Sequence, residues 1–396
     1  MIYRVFKDKK ICMLGFGAMR LPLNEDGSIN EQLTEQMVDY SMSHGINYYD
    51  TAYPYHGGMS EVVLGKILKK YPRESFYLAD KYPGHQLSDT YNPAEIFEEQ
   101  LKKCGVEYFD FYLLHNVYEN SIQTYMDPQW KILDYFREQK RLGRIKHLGF
   151  STHGSVSVME EFLDYCGDDM EFCQIQLNYL DWTLQDAKKK CELLEERNIP
   201  VWVMEPVRGG KLANLPESTG KKLKIMRPDE SAAAWAFRFL QELPYVTVVL
   251  SGMSNMEQTI ENLDTFAFHA PLTHAENITL MDVAEGLKDS VPCTSCRYCT
   301  DGCPMGLDIP LMLSVYNELK ITPAFTVSMR LEGLPEDKQP SACIKCGKCT
   351  HICPQSIDIP AVLGKLAEML EKLPKWADIC RERAEAAKKS PLHSDP

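Results

Sequence analysis

The stretch from residue 76 to residue 114 contains the unit that decides the fold. It reads Phe76-Tyr-Leu-Ala-Asp80, then a helical pattern over residues 93–104, then Phe109-Asp-Phe-Tyr-Leu-Leu114. Both apolar runs have the length and composition of buried strands, whereas the segment between them is long enough for a helix. This strand–helix–strand unit predicts two parallel strands joined by a crossover helix.

The same alternation recurs along the first two thirds of the chain. Candidate strands lie at residues 12–16, 47–51, 76–80, 109–114, 147–150, 172–177, 200–204 and 246–250, and helical stretches lie at 30–44, 60–70, 93–104, 128–142, 155–165, 184–197 and 231–240. Eight strands in roughly 270 residues predict an α/β fold, the (β/α)8 TIM barrel. An open doubly wound sheet is the alternative, but Gly15-Phe-Gly17 is only a fragment of the glycine-rich fingerprint that it requires.

Composition narrows the class of protein. The chain has 396 residues, of which 44% are hydrophobic and 25% charged, which is ordinary for a globular protein of two domains. Its net charge of −13 argues against a nucleic-acid or anionic-membrane partner. There is no apolar run of the ~18 residues that a membrane span needs, and the N-terminus lacks a signal-peptide core. We therefore expect a cytoplasmic protein.

Eight of the fourteen cysteines form two runs with the spacing C-x2-C-x2-C-x3-C-P. The runs are Cys293, Cys296, Cys299, Cys303 and Cys343, Cys346, Cys349, Cys353. This spacing is that of ferredoxin-type ligation, in which the fourth cysteine of each run binds the other cluster. We predict two [4Fe–4S] clusters, one held by Cys293, Cys296, Cys299 and Cys353 and the other by Cys343, Cys346, Cys349 and Cys303. Structural zinc is the alternative, but zinc sites use paired C-x2-C knuckles.

An internal repeat accompanies these runs. Cys303-Pro-Met-Gly-Leu-Asp-Ile-Pro310 recurs fifty residues later as Cys353-Pro-Gln-Ser-Ile-Asp-Ile-Pro360, and residues 309–319 and 324–331 have helical patterns. We therefore predict a barrel over residues 1–283, a smaller, mostly α-helical ferredoxin-like iron–sulfur domain over 284–375, and a charged tail over 376–396.

Residues of complementary chemistry follow three consecutive strands, where barrel enzymes place their active sites. Asp50 and Tyr55 follow the second strand, Lys81 the third and His115 the fourth. At these residues the chain resembles the aldo-keto reductase family, over about residues 1–280. The resemblance implies that Tyr55 protonates a carbonyl oxygen as hydride arrives from nicotinamide, that Lys81 lowers the pKa of Tyr55, that Asp50 holds Lys81, and that His115 orients the carbonyl.

The resemblance also implies a site for NAD(H) or NADP(H). The residues implied at the nicotinamide carboxamide are Ser151 and Gln174, with Gln176 as a fallback, and Thr152 is also implied in binding the coenzyme. Those implied at the pyrophosphate are Pro206, Gly209, Gly210 and Lys211, and those on the adenosine side are Gly252, Ser254, Gln258, Glu261 and Asn262. The last segment opens a helix, and the pattern Ser254-x-x-Glu257 predicts a capping box there.

The chain departs from the family at two of these positions. Many members carry Lys and Arg where this chain has Gly252 and Gln258, and that basic pair grips the 2′-phosphate of NADPH. The choice between NADH and NADPH therefore stays open, with Arg208 and Lys211 the first suspects for a cation from elsewhere. Asp80, next to Lys81, should point away from the site because side chains alternate along a strand.

Three functions fit these residues. The first is an NAD(P)H-dependent oxidoreductase that acts on a small carbonyl substrate and whose clusters exchange electrons with the barrel site. The second is a plain carbonyl reductase whose clusters are structural or dock a redox partner protein. The third is a non-enzymatic redox or nucleotide sensor, against which the intact tetrad argues. The first faces an objection, because hydride carries two electrons whereas each cluster carries one.

Overall fold

The computed structural model describes residues 1–86, 90–119, 121–287, 290–321, 325–375 and 378. The chain divides into two compact units, Met1–Gly286 and Leu287–Pro396. The predicted tail at 376–396 lies outside the described residues except for Asp378. Among the described helices, none combines the length and the apolar character needed to cross a bilayer.

The first unit is the predicted barrel. Its strands are β1 (Tyr3–Phe6), β2 (Lys9–Cys12), β3 (Leu14–Gly17), β4 (Tyr48–Asp50), β5 (Tyr77–Tyr82), β6 (Phe109–Leu114), β7 (Ile145–Thr152), β8 (Cys173–Gln176), β9 (Val201–Met204) and β10 (Val246–Ser251). Strands β3 to β10 follow one another around a closed parallel barrel, and β10 pairs with β3. The predicted (β/α)8 fold is confirmed.

Helices surround these strands. They are α1 (Glu31–Ser43), α2 (Met59–Leu68), α3 (Pro93–Cys104), α4 (Ile122–Met126), α5 (Ile132–Arg141), α6 (Val156–Cys166), α7 (Asp181–Leu184), α8 (Ala187–Glu196), α9 (Glu217–Met226), α10 (Ala232–Gln241), α11 (Met256–Ala267) and α12 (His274–Leu287).

The hairpin of β1 and β2 was not predicted. These two short strands pair in antiparallel fashion, so Cys12 ends the hairpin and does not begin the first barrel strand. Phe6 of the hairpin packs against the barrel residues Phe111 and Trp202, at ring-centroid distances of 5.6 and 5.2 Å. The hairpin thus covers the end of the barrel where the strands begin, opposite to the end where barrel enzymes have their active sites.

Strand register brings the predicted site residues to one rim. Asp50 is the register partner of Gly17 and of Ala79, and Lys81 lies two residues beyond Ala79 on β5. On the other side, Ser151 of β7 is directly opposite Gln174 of β8. Asp50, Lys81 and Ser151 lie toward the carboxyl ends of their strands.

The second unit is helical, as predicted. It contains α13 (Tyr298–Asp301), α14 (Ile309–Ile321), α15 (Phe325–Glu332), α16 (Lys348–Ile352) and α17 (Ile359–Glu371). The fifty-residue repeat of the sequence is also a repeat of the backbone. Arg297 and Gly347 precede the two short helices with φ of 67° and 77°. Asp308 and Asp358 accept the N–H of Leu311 and Ala361 at the start of α14 and α17, each at 3.3 Å.

Candidate functional site

A buried ion pair lies at the centre of the barrel rim. The Lys81 side chain is fully buried, and its Nζ donates to Asp50 Oδ1 at 2.5 Å and to the carbonyl of Thr51 at 2.7 Å. Burial raises the pKa of Asp50, although the charge of Lys81 and its hydrogen bond oppose that rise. The predicted contact between Lys81 and Asp50 is therefore present in the structure.

Tyr55 lies beside this pair, in the 3-10 turn Tyr55–Gly58 that follows β4. Its ring centroid is 5.0 Å from Lys81 Nζ and 5.9 Å from the ring of His115. Burial raises the pKa of Tyr55 well above its usual value of 10, and the carboxyl groups of Asp50 and Glu205 raise it further. The pKa of Tyr55 is thus raised in the chain by itself, and the expectation that Lys81 lowers it stays a prediction.

Three imidazoles lie in the same region, of which His115 is buried and His85 and His153 are partly buried. His115 follows β6, and its ring is 4.5 Å from that of His85. Burial lowers the pKa of His115 well below its usual value, with contributions from His85, Lys81 and His153. The pKa of His85 is lowered to about 4 and that of His153 to about 3, mainly by burial. Sequence reasoning missed His85, whose signal was its position four residues after Lys81, in the loop that follows β5.

Ser151 and Gln174 lie side by side on the opposite part of the rim. The Ser151 hydroxyl accepts the N–H of Asn116 at 2.8 Å. Gln174 Oε1 is buried and has no hydrogen-bond partner within the part of the chain that the structure describes. A buried acceptor in this state fits a ligand that carries an N–H donor, such as a carboxamide.

Two neighbouring candidates already have partners within the barrel. The Thr152 hydroxyl donates to the carbonyl of Val117 at 2.6 Å. Gln176 Nε2 donates to Asp181 Oδ2 at 2.7 Å. These contacts hold the rim together, so Ser151 and Gln174 are the stronger candidates for ligand contact.

The segment after β9 has the backbone of a tight loop. Gly209 and Gly210 have φ of 63° and 91°, the left-handed region that glycine adopts at least cost, and Lys211 is half-buried. Pro206 is buried. Arg208 is fully buried, with Nε donating to Asp181 Oδ2 at 3.1 Å. Arg208 is therefore a poor candidate for the missing phosphate-binding cation.

The segment after β10 differs from the expected capping box by one residue. Asn255 is the N-cap of α11 and accepts the N–H of Gln258 at 2.8 Å. The expected Ser254–Glu257 box is wrong, because the Ser254 hydroxyl donates to the carbonyl of Arg20 instead, at 2.8 Å. Ser254 and Gln258 are exposed, and Gly252 is partly buried.

The two remaining candidates of this segment lie on α11. Asn262 Nδ2 donates to the hydroxyl of Ser251 at 3.0 Å, and Glu261 is half-buried. Asn262 therefore ties the helix to the end of β10.

The cysteines of the second unit surround two cavities. One is lined by Cys293, Cys296, Cys299 and Cys353. The other is lined by Cys303, Cys343, Cys346 and Cys349. Each is thus lined by three cysteines of one run and the fourth of the other. The remaining walls are largely apolar and include Leu313 in the first cavity and Leu363 in the second.

These cavities fit iron–sulfur clusters better than single ions. Four thiol groups around one cavity are the donor set that a [4Fe–4S] cube requires. Among the described residues, no group of three or more His, Cys, Asp or Glu side chains converges on a point as a single metal ion would require. The lining of each cavity, three cysteines of one run and the fourth of the other, is the ligand set of a two-cluster ferredoxin-type domain.

Comparison with known proteins assigns both units to families. Residues 13–284 match the aldo/keto reductase family, and residues 292–357 match the 4Fe-4S dicluster domain. The chain belongs to the aldo/keto reductase family. It is an oxidoreductase of that family with a C-terminal 4Fe-4S dicluster domain, and the prediction of two iron–sulfur clusters is confirmed.

Individual relatives agree with this assignment. The NADH-specific methylglyoxal reductase of Escherichia coli (strain K12) is 26% identical over 306 residues, which cover 66% of this chain and 91% of the relative. L-galactose dehydrogenase of Arabidopsis thaliana is 23% identical over 285 residues, which cover 64% of this chain and 84% of the relative. The holo form of aldo-keto reductase AKR11C1 from Bacillus halodurans is 26% identical with a TM-score of 0.57, covering 72% of this chain and 96% of that one.

Proposed function

We propose that the barrel reduces a small, uncharged carbonyl compound at the expense of NADH or NADPH, with Tyr55 as the proton donor. The observation that carries this proposal is the position of Tyr55. The centroid of its ring lies 5.0 Å from Nζ of Lys81, which is buried and paired with Asp50. A bound dinucleotide would supply hydride to the carbonyl carbon. The proton that the carbonyl oxygen then needs would come from the Tyr55 hydroxyl.

The electrostatics of the rim support that role for Tyr55. Its raised pKa keeps the hydroxyl protonated at neutral pH, as a proton donor must be. When the proton leaves, the phenolate that forms is stabilised by the nearby ammonium group of Lys81. Asp50 holds that ammonium group in place through its 2.5 Å contact.

The imidazoles support an uncharged substrate. Because burial keeps His85, His115 and His153 neutral, each can donate a hydrogen bond without bringing a positive charge to the site. A neutral His115 would polarise and orient the carbonyl oxygen and leave its protonation to Tyr55. An anionic substrate would find no cationic imidazole to offset its own loss of solvation.

The coenzyme site is proposed at Ser151 and Gln174, which would hold the nicotinamide carboxamide. The buried Gln174 Oε1 supports this, since it is an acceptor that a carboxamide N–H would satisfy. Gly252 and Gln258 lack the charge that would select a 2′-phosphate, and one relative is named as NADH-specific. We therefore propose that NADH and NADPH bind within about tenfold of each other, or ~1.4 kcal/mol.

The cluster domain supports a second function, the transfer of single electrons. The residues proposed as ligands are the four cysteines that line each cavity, and the clusters would carry electrons for a redox partner protein. Hydride transfer and single-electron transfer differ in the number of electrons moved, so we propose that the barrel reaction proceeds without cluster turnover.

One experiment tests both proposals. Protein purified without oxygen is mixed with NADH or NADPH, and the nicotinamide and cluster absorbances are followed before and after a panel of small aldehydes and dicarbonyls is added. We expect nicotinamide oxidation only after a carbonyl is added, with the cluster absorbance unchanged. Bleaching of the clusters by nicotinamide alone, at the rate of turnover, would establish the coupled alternative. Absence of oxidation with every carbonyl would contradict the reductase proposal.

A further inference from the structure

The two cysteine runs share one backbone conformation but differ in their other side chains. The first run covers residues 293–303 and the second residues 343–353. Ser295 and Lys345, at matching positions, have φ of 56° and 55°. The residues that precede α13 and α16 are also left-handed in both runs. The fifty-residue repeat therefore matches the two runs position by position.

The second run is the more exposed of the two. Thr294 of the first run is 3% exposed, whereas Ile344, at the matching position, is 59% exposed. Cys296 is half-buried, whereas Cys346 is exposed. Ile352, which is 41% exposed, stands where the first run has a glycine. The second run therefore leaves a cysteine and two isoleucine side chains in contact with solvent.

The second run also carries a positive charge that the first run lacks. Lys345 and Lys348 are exposed, and residues 343–353 include no Asp or Glu. Neither lysine belongs to an ion pair within the part of the chain that the structure describes. The first run has one cation, Arg297, whose Nη1 pairs with Asp308 at 3.3 Å. Two unpaired cations thus lie in the second run of a chain whose net charge is −13.

A third cation reaches the edge of the second cavity. Lys338 Nζ donates to the carbonyl of Met305 at 2.6 Å, and Met305 lines that cavity together with Lys348. A carbonyl oxygen does not neutralise the ammonium charge. Glu336 and Asp337 precede Lys338 in the same turn, and among the described residues they form no ion pair with it.

The apolar and cationic side chains of the second run lie together. Ile344 and Lys348 both line the second cavity, as does Cys346. Ile352 follows Lys348 by four residues in α16, so these two side chains share one face of the helix. We call Ile344, Lys345, Lys348 and Ile352 the docking face. Apolar contacts bordered by charge are typical of protein interfaces, and complementary charge guides the partners into register.

We propose that the docking face binds an acidic protein that carries single electrons, so that electrons enter or leave the chain beside the second cavity and not the first. One electron moves between the carrier and the cluster held there, and no atoms are exchanged. A basic face on an acidic chain selects an acidic partner, because the rest of the surface repels it. This inference rests on the proposed electron transfer by the cluster domain.

The test compares two single-electron carriers, a flavodoxin, which is acidic, and cytochrome c, which is basic. Isothermal titration calorimetry without oxygen gives the dissociation constants of the oxidised proteins at low and high salt. The variants are Lys345→Gln/Lys348→Gln, Ile344→Ser and, as a matched control, Lys188→Gln/Lys189→Gln. The control lysines are 57% and 65% exposed on α8, and their loss changes the net charge equally. Iron analysis establishes that each variant keeps its clusters.

We expect the flavodoxin to bind more tightly than cytochrome c. Lys345→Gln/Lys348→Gln should raise the dissociation constant of the flavodoxin about tenfold or more at low salt, and by a smaller factor at high salt, because the lost attraction is electrostatic. Ile344→Ser should weaken binding at both salt concentrations, because the lost contact is apolar. The control on α8 should change binding by less than about twofold.

Three results would overturn the inference and leave electron transfer intact. These are tighter binding of cytochrome c than of the flavodoxin, equal effects of the two lysine double variants, and self-association of the chain that is lost in Lys345→Gln/Lys348→Gln. The last, measured by sedimentation, would assign the docking face to a second copy. If protein reduced with dithionite passes no electrons to either carrier in stopped-flow mixing, the proposed electron transfer itself is wrong.

Discussion

Lys81 and Asp50 are each buried where an unpaired charge would destabilise the folded protein. Both side chains are almost completely removed from water, and each is the main compensation for the other. Such pairs contribute little compared with apolar residues of the same size, but removing one partner leaves a buried charge and costs several kcal/mol. The pair is therefore better explained by the chemistry of the site than by the stability of the barrel.

Replacing the lysine tests this reasoning. Lys81→Met leaves Asp50 without its counter-ion, and burial then raises the pKa of Asp50 above its value in the unfolded chain. A carboxyl whose pKa is raised by folding stabilises the protein at low pH and loses that contribution as the pH rises. We expect a loss of about 3–5 kcal/mol that is larger at pH 8 than at pH 5.

Thermal unfolding of Lys81→Met and of the unaltered protein at the two pH values measures this effect. Lys66→Met is the matched control, because Lys66 is 70% exposed and its ion pair with Glu31 lies on the surface. That variant should change stability by less than about 1 kcal/mol at either pH. Equal effects of the two substitutions would show that the loss of Lys81 costs no more stability than the loss of a surface ion pair.

Individual residues differ in how far the sequence could identify them. Asp50, Tyr55, Lys81 and His115 stand at strand ends and match a family motif, so they were predictable before any coordinates. His85 belongs to a loop, and its place depends on how that loop crosses the rim. The hydrogen bond from Ser254 to the carbonyl of Arg20 joins residues 234 positions apart, which local sequence patterns do not encode.

At the scale of the elements, the two cysteine runs of the second unit give the sharpest test of how the clusters are held. Cys296 and Cys353 line one cavity, whereas Cys303 and Cys346 line the other. We expect the double variant Cys296→Ser/Cys353→Ser to lose one cluster and keep about four iron atoms per chain. The double variant Cys296→Ser/Cys303→Ser, which alters two cysteines of the same run, should lose both.

Iron and sulfide analysis of anaerobic preparations distinguishes these outcomes. Cys166→Ser is a suitable control, because Cys166 is buried in α6 of the barrel, and it should retain all eight iron atoms expected for two cubes. If each run instead held its own cluster, the two double variants would exchange their results.

Helices and strands were predicted well where the hydrophobic pattern was strong, and poorly where the element was short. The eight barrel strands stood out because each is a buried apolar run that alternates with a helix. The hairpin of β1 and β2 has four-residue strands of mixed polarity. It is held by the packing of Phe6 against Phe111 and Trp202, a contact that exists only in the folded barrel. The N-cap of α11 is Asn255, one residue after the predicted Ser254, because the Ser254 hydroxyl donates to the carbonyl of Arg20 instead.

At the scale of the whole molecule, the proposed chemistry divides between the two units. Every residue proposed for carbonyl reduction lies within Met1–Gly286, and every proposed cluster ligand lies within Leu287–Pro396. We therefore expect protein whose clusters have been removed by oxidation and chelation to retain carbonyl reduction within about twofold, as long as the barrel stays folded. Activity that falls in proportion to the iron content would contradict the independence of the two units.

The most direct test of the account is the turnover of Tyr55→Phe compared with that of Tyr53→Phe. Tyr53 lies two residues earlier in the same loop, and its hydroxyl donates to Glu99 at 3.0 Å. With NADH or NADPH and a reducible aldehyde, Tyr55→Phe should lose about 10²- to 10⁴-fold in rate, the usual contribution of a positioned proton donor, while its dissociation constant for the coenzyme stays unchanged. Tyr53→Phe should retain full activity. Turnover by Tyr55→Phe at the rate of the unaltered protein would contradict the assignment of Tyr55 as the proton donor.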